Sequence, residues 1–144
     1  MNVKQISVFV DNKPGSLYGI AKVFADNNVR IRALTVTETS DFSVVRLIVD
    51  NVMWASSVLK DGGFITKIQE VLAVEVPNSP GGLNKVLGAI MDADVNIEYS
   101  YTILTGKYMI STCMIFKVSD NIKAVEALRA SGIKIMPQEE LSAL

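Results

Sequence analysis

Residues 10–17 read Val-Asp-Asn-Lys-Pro-Gly-Ser-Leu, and residues 76–83 read Val-Pro-Asn-Ser-Pro-Gly-Gly-Leu. Both stretches follow the pattern Val-x-Asn-x-Pro-Gly-x-Leu, and 76 minus 10 gives an offset of 66 residues. The correspondence continues at the same offset as far as Ile31 and Ile97. A repeat of this length predicts that the chain contains two equivalent structural units.

The offset between the two copies changes further along the chain. Asp50 corresponds to Asp120, an offset of 70, so the second copy carries an insertion of four residues (70 minus 66). The copies meet near Gln69–Val71. We therefore predict a first domain over residues 1–70 and a second over residues 71–144.

Local patterns predict the same order of elements in each copy. Pro14 and Gly15 open a helix, because a proline in the first turn loses no helical hydrogen bond. An apolar stripe at helical spacing follows, formed by Leu17, Ile20, Ala21 and Phe24, and by Leu83, Val86, Leu87 and Ile90 in the second copy. The predicted strands are Val3–Val10, Val29–Glu38, Ser43–Val49, Phe64–Gln69, Val95–Leu104, Tyr108–Val118 and Ile133–Gln138, with the last strand of the first copy running almost directly into the second copy.

Polar residues mark the helix ends. Asn27 and Asn28 are suited to end the first helix, since asparagine tolerates the left-handed backbone conformation found there. The predicted N-caps of the second helices are Asp50 or Asn51 in the first copy and Asp120 or Asn121 in the second. The order βαββαβ, twice, predicts an α+β fold of two tandem ferredoxin-like sandwiches, each with a four-stranded antiparallel sheet and both helices on one face.

The predicted strands around Val44–Val49 and Ser111–Phe116 carry apolar residues on both faces. A strand that is apolar on both faces is covered on both faces. Sheet-against-sheet association of two or more copies would supply that cover, so we predict a homodimer or a higher homo-oligomer.

The composition excludes several functions. The chain has 49% hydrophobic and 20% charged residues, with 14 basic and 15 acidic side chains, which argues against nucleic-acid binding. It has no histidine and one cysteine, so Cys–His and His-based catalysis and such metal sites are excluded. No membrane span or signal peptide is visible, which predicts a cytoplasmic protein. We expect no catalytic activity, no cofactor and no metal.

The Asn-x-Pro-Gly-x-Leu element, an amphipathic helix and then Val29-Arg30-Ile31 or Val95-Asn96-Ile97 resemble the ACT domain, in two consecutive copies over nearly the whole chain. The resemblance implies regulation, because ACT domains typically bind amino acids between two domains. The loop before the first helix and the start of the second strand hold the ligand there. A helix N-terminus favours a carboxylate physically, through its dipole and its N–H groups, here those of Gly15, Ser16 and Leu17. The side-chain oxygen of Asn12 or Asn78 is an acceptor suited to the ligand ammonium.

The resemblance implies a ligand site whose parts are unequal in the two copies. The second copy matches better, because it keeps Asn78 and Asn96, whereas the first copy has Asn12 but carries Arg30 in place of the second asparagine. The candidate ligand-binding residues are Asp11, Asn12, Pro14, Gly15, Ser16, Leu17, Arg30, Asn78, Pro80, Gly81, Gly82, Leu83 and Asn96.

Two functions fit these observations. The first is a sensor that binds an amino acid or a related small carboxylate and acts in trans on a metabolic enzyme or pathway. The second is a subunit whose loops bind nothing and whose sheet or helices dock on an enzyme. A ligand-induced change in stability or assembly would favour the first, and an apolar surface left exposed in the oligomer would favour the second.

Overall fold

A computed structural model of the chain describes residues 2–104 and 111–144. It divides into two compact units. The N-terminal unit is Lys4–Gln69, and the C-terminal unit is Glu70–Leu144 together with the first residues of the chain, up to Val3. The predicted turn at Thr105 and Gly106, and the predicted strand residues 108–110, lie outside the described residues.

The N-terminal unit has the predicted βαββαβ order. Its elements are β1 (Val3–Asp11), α1 (Ser16–Asp26), β2 (Ile31–Glu38), β3 (Phe42–Val49), α2 (Val52–Asp61) and the beginning of β4 (Ile65–Pro77). The strands lie in the order β2-β3-β1-β4. β3 pairs antiparallel with both of its neighbours, β1 and β2. The alternating apolar residues of the strands and the apolar stripe of α1 form one core, which includes Ile6, Val8, Ile20, Phe24, Val45, Leu47 and Leu59.

The C-terminal unit repeats this plan. Its elements are the remainder of β4, α3 (Gly82–Asp92), β5 (Ile97–Thr102), β6 (Ser111–Val118), α4 (Asn121–Ala130) and a short α5 (Gln138–Ser142). β6 pairs antiparallel with β4 and β5. The core includes Leu72, Val74, Val86, Ile90, Phe116 and Leu128. The prediction that the copies join without a linker is confirmed, because β4 is one strand that contributes residues to both units.

The predicted last strand, Ile133–Gln138, is present only in its central part. Ile135 forms an antiparallel bridge with Val74, and the Glu75 and Met136 N–H groups donate to the Lys134 and Ala73 carbonyl oxygens at 3.0 and 2.8 Å. Pro137 follows, and it has no backbone N–H to continue the pairing. The chain turns there into the helix α5, whose N-cap position is Pro137.

The predicted end of the first helix is confirmed. α1 ends at Asp26, and Asn28 adopts a left-handed conformation with φ of 56°. Asp94 takes the same conformation after α3, with φ of 57°. Short polar side chains tolerate this region of backbone space better than other non-glycine residues do.

The two second helices use equivalent N-caps. In the N-terminal unit the side chain of Asn51 accepts a hydrogen bond from the Trp54 backbone N–H at 3.0 Å. In the C-terminal unit the side chain of Asp120 accepts from the Lys123 backbone N–H at 3.1 Å. Val49 and Val118 hold the same place in the strand pairing, an offset of 69 (118 minus 49), so the predicted alignment of Asp120 with Asp50 is wrong by one residue and Asp120 corresponds to Asn51.

Arg32 pairs with Asp50, the residue before the cap. The Arg32 guanidinium donates to the Asp50 carboxylate from Nε at 2.6 Å and from Nη2 at 3.1 Å. The residue that corresponds to Arg32 in the second copy is Glu98, which pairs with Lys117 at 3.4 Å. Ser119 takes the place of Asp50 there, so the second copy has no counterpart of the Arg32–Asp50 ion pair at these positions.

Replacing Asn51 with alanine should lower the free energy of unfolding by about 1 kcal/mol, the usual cost of a lost N-cap. The control is Asn121→Ala, at the first residue of α4, directly after the cap Asp120. We expect that control to change stability by less than about 0.5 kcal/mol. Urea unfolding of both variants measures the difference, and equal losses would contradict the cap assignment.

The second face of each sheet is partly buried. Ile48 in the N-terminal unit, and Ala73, Cys113 and Ile115 in the C-terminal unit, alternate with core residues and are no more than 1% exposed. Phe9 and Phe42, on the same face as Ile48, are 36% and 41% exposed, so part of this face remains available for contact with a second copy. Homo-oligomerisation stays a prediction. In the described parts of the chain, no helix has the length and apolar character to cross a membrane.

Candidate functional site

The loop between β1 and α1, residues 11–15, is called here the N-terminal loop. Gly15 immediately precedes α1 with φ of 89°, a conformation that side-chain-bearing residues rarely adopt. The Lys13 N–H donates to the Asp11 carbonyl oxygen at 3.0 Å, and the Ser16 N–H donates to the Lys13 carbonyl oxygen at 3.4 Å. The Ser16 N–H is therefore used in a hydrogen bond inside the turn, although it was predicted to be available for a ligand.

The predicted residues of this loop lie on the surface. Asp11, Asn12, Pro14, Gly15 and Leu17 are exposed, and Ser16 is half-buried. The Asn12 amide donates to Glu38 Oε2 at 3.4 Å, so this asparagine is oriented by the end of β2. The amide oxygen, which the sequence analysis assigned to a ligand ammonium, is not used in that bond.

A cavity of about 320 Å³, called here the N-terminal cavity, opens beside this loop. Asp11, Lys13, Gly15 and Ser16 form one part of its wall, and Phe9, Gly19 and Phe64 form an apolar part. A smaller cavity of about 150 Å³ touches the other side of the loop, where Asn12 and Leu17 meet Val36. The N-terminal loop is therefore bordered by two recesses.

The corresponding loop between β4 and α3, residues 78–81, is called here the C-terminal loop. Gly81 repeats the left-handed conformation of Gly15, with φ of 84°. Gly82 is different, because it is buried and a Cβ built on it would lie 2.2 Å from the Pro77 carbonyl oxygen. Its N–H donates to the Ser79 carbonyl oxygen at 3.0 Å. Close packing thus requires a glycine at position 82, and its N–H is already hydrogen-bonded within the loop. The other predicted residues of this loop, Asn78, Pro80 and Leu83, are exposed.

A cavity of about 170 Å³, the C-terminal cavity, occupies the repeat-related position. Its wall includes Glu75, Lys85, Ser111 and Lys134. Among the described residues, those that line this cavity include none of the predicted site residues in 78–83. The two cavities therefore share their place in the fold but differ in chemistry.

Arg30 lies far from the N-terminal loop within its unit. Asp11 pairs with Phe42 at one end of β3, and Ile31 pairs with Val49 at the other end. Seven residues of a strand at about 3.3 Å each separate these ends by roughly 20 Å. Arg30 and the N-terminal loop therefore do not form one site within the unit.

The same separation applies to Asn78 and Asn96 in the C-terminal unit. Pro77 pairs with Ser111, whereas Ile97 pairs with Val118 at the far end of β6. Asn96 is exposed and lines a separate open cavity of about 480 Å³. The structure does not bring the two asparagines together within this unit.

Cys113 is buried in β6, and its thiol has low reactivity. Burial, with a smaller contribution from the charge of Glu75, raises the pKa of the Cys113 thiol to about 12. The thiol therefore stays protonated near neutral pH, which makes it a poor nucleophile. Among the described residues, no group of three or more Cys, Asp and Glu side chains is arranged to hold a metal ion.

The apolar wall of the N-terminal cavity was missed by the sequence analysis. Phe9 and Phe64 belong to strands or turns that are distant in sequence, so only the fold brings them together. The sequence contained one indication of this wall, at Gly19. A glycine interrupts the helical pattern there, whereas the second copy has Lys85 at the corresponding position.

Comparison with known proteins gives one family. The family model described as an ACT domain pair matches residues 1–144. The crystal structure of protein BT0572 from Bacteroides thetaiotaomicron is similar over 100% of this chain and 98% of that chain, with 33% identity and a TM-score of 0.92. The regulatory subunit of aspartate kinase from Thermus thermophilus, in its ligand-free form, is similar over 90% of this chain and 89% of that chain, with 15% identity and a TM-score of 0.65. A search of curated proteins found no match.

Proposed function

Because this chain belongs to the family of ACT domain pairs, we propose that it is a regulatory protein that binds an amino acid or a related small carboxylate. The resemblance described above implies this ligand class. A change on binding would be passed in trans to a metabolic enzyme or pathway. We propose no catalytic role for the chain.

The N-terminal cavity is the observation that carries the proposal. It places the Asp11 carboxylate and the Lys13 ammonium beside the beginning of α1. The two charged groups are 3.7 Å apart and largely exposed, so the ion pair between them is weak. A zwitterion offers one partner to each group, and the helix N-terminus adds a favourable field for its carboxylate.

The separation of the predicted parts narrows the proposed site. Arg30 and Asn96 each lie at the opposite end of their unit's sheet from that unit's loop. Neither residue can therefore contact a ligand of amino-acid size that is held at the loop of its own unit. The proposed site within the N-terminal unit consists of the N-terminal loop and the N-terminal cavity.

Exposed apolar side chains favour the second candidate, an interaction subunit that docks on an enzyme through its helices. Tyr18, Met53, Met91 and Ile122 lie on four different helices, and each is at least 70% exposed. Exposed apolar side chains of this kind mark a docking surface where they form a contiguous patch with their neighbours. This role is compatible with ligand binding, and it becomes the sole proposal if no ligand is found.

Thermal unfolding against the twenty amino acids and related 2-oxo acids tests the proposal. A ligand at 100 times its Kd should stabilise the protein by about 2.7 kcal/mol. The Tm should then rise by several degrees for a chain of this size. The double variant Asp11→Asn, Lys13→Met should lose the response, and Ser79→Ala, at the position corresponding to Lys13, should keep it. If none of these compounds raises the Tm of the unchanged protein, the proposal of ligand binding is contradicted.

A further inference from the structure

We infer that the N-terminal cavity receives a large apolar side chain of the ligand, that Gly19 keeps the cavity open, and that the C-terminal cavity is closed to the same ligand. This inference rests on the proposed function. It adds a ligand class, a residue that determines specificity and a difference between the two copies.

Gly19 leaves room at the centre of the cavity wall. It lies within α1, is half-buried and faces Phe64, since a Cβ built on it would be 3.6 Å from Phe64 Cζ. That distance is an ordinary van der Waals contact, so alanine fits there without moving the backbone. Any longer side chain at position 19 would occupy space that now belongs to the cavity.

The remaining apolar wall is provided by Phe9, Val10 and Phe64. Phe9 is 36% exposed and Phe64 is only partly buried, so both rings present apolar surface that water now reaches. Covering such surface with an apolar group is favourable by roughly 25 cal/mol per Å². The aromatic rings therefore select an apolar ligand group.

The repeat-related positions change the character of the C-terminal cavity. Lys85 takes the place of Gly19 and Glu75 takes the place of Phe9, whereas Ile133 takes the place of Phe64 and is apolar as well. The cavity measures about 170 Å³, against about 320 Å³ in the N-terminal unit. The position that leaves the first cavity open and one of its two aromatic positions are therefore charged in the second.

The charges of the C-terminal cavity are also paired within the protein. Glu75 Oε1 accepts a hydrogen bond from Ser111 Oγ at 2.7 Å. Lys134 Nζ lies 2.9 Å from Glu140 Oε2 on α5. A ligand entering here would have to break these contacts, so we expect one ligand per chain at this position in the fold.

The size of the N-terminal cavity limits the ligand further. Small-molecule sites start at about 300 Å³, so this open cavity of about 320 Å³ is suited to a compound of amino-acid size. With Asp11 and Lys13 beside an apolar wall, the ligand class is an amino acid whose side chain is large and apolar. L-Leucine, L-methionine and L-phenylalanine are the probes of choice.

The variant Gly19→Ala should change stability and binding in opposite directions. Without ligand its Tm should rise by about 2–4 °C, because glycine inside a helix is less stable than alanine. Its affinity for the probe that stabilises the unchanged protein should fall at least tenfold, and Gly19→Leu should abolish binding. Damage to folding would lower both quantities, so the opposite signs are specific to a filled cavity.

Lys85→Ala is the matched control, since it changes the corresponding position of the other copy and should leave probe affinity unchanged. Isothermal titration of the full chain should give one probe molecule per chain at this position. 4-Methylpentanoate and isoamylamine, which lack one charged group of leucine, should bind more weakly than L-leucine.

The outcomes separate this inference from the proposed function. A response to a charged or small polar amino acid that is unaffected by Gly19→Ala would overturn the inference and leave the proposed function standing. Loss of apolar-probe binding in Lys85→Ala but not in Gly19→Ala would also overturn it. If no amino acid alters the unchanged protein, the inference and the proposed function fail together.

Discussion

Replacing Gly82 with alanine should lower the free energy of unfolding by about 2–4 kcal/mol. The added Cβ would lie 2.2 Å from the Pro77 carbonyl oxygen, which is backbone and cannot rotate away. Relief of this clash requires the start of α3 and the end of β4 to move apart. Gly82 is buried at that junction, so the movement would also disturb packed neighbours.

Ser16→Ala is the control for this prediction. Ser16 stands at the corresponding position of the N-terminal unit and already carries a Cβ. We expect this variant to change stability by less than about 0.5 kcal/mol in urea unfolding. If Gly82→Ala were as stable as the unchanged protein, the close approach of Pro77 to Gly82 would not be a constraint on the fold.

Replacing Asp50 with alanine should cost about 3 kcal/mol. The Arg32 side chain is 8% exposed, and the variant would remove the carboxylate that receives two of its hydrogen bonds. Loss of one partner from a buried ion pair typically costs about 3–5 kcal/mol. The Asp50 side chain is 31% exposed, so water can replace part of the lost interaction and the lower end applies.

Two further variants give this experiment its controls. Asp120→Ala, which removes the N-cap of the second helix in the other copy, should cost only about 1 kcal/mol because no buried ion pair is lost. The double variant Arg32→Met, Asp50→Ala should recover most of the loss, since it removes both charges together. Equal losses in Asp50→Ala and Asp120→Ala would show that the ion pair adds nothing to stability.

The fold could be predicted because the sequence repeats its local patterns. Strand alternation, the apolar stripes and the left-handed position at Asn28 depend on nearby residues, so they are readable without tertiary information. The partial failure at Ile133–Gln138 has the opposite origin. Apolar residues there resemble a strand, but Pro137 ends the pairing after one bridge, and the chain continues as a helix.

The candidate site could be predicted only in part. The sequence identified both Pro-Gly loops, and Gly15 and Gly81 indeed adopt the conformation that favours glycine. It gave no means to separate Gly81, which is required by its φ angle, from Gly82, which is required by the nearby Pro77 oxygen. It also treated the two copies as variants of one site, because the walls of the cavities come from residues distant in the chain.

The N-caps of the two second helices have a consequence for how the duplicated copies can diverge. Asn51 and Asp120 hold the same place and accept the same kind of hydrogen bond, although only the aspartate carries a charge. An exchange between asparagine and aspartate at this position therefore keeps the start of the helix. Duplication thus left each half of the protein a route by which its charge pattern can drift while its architecture is kept.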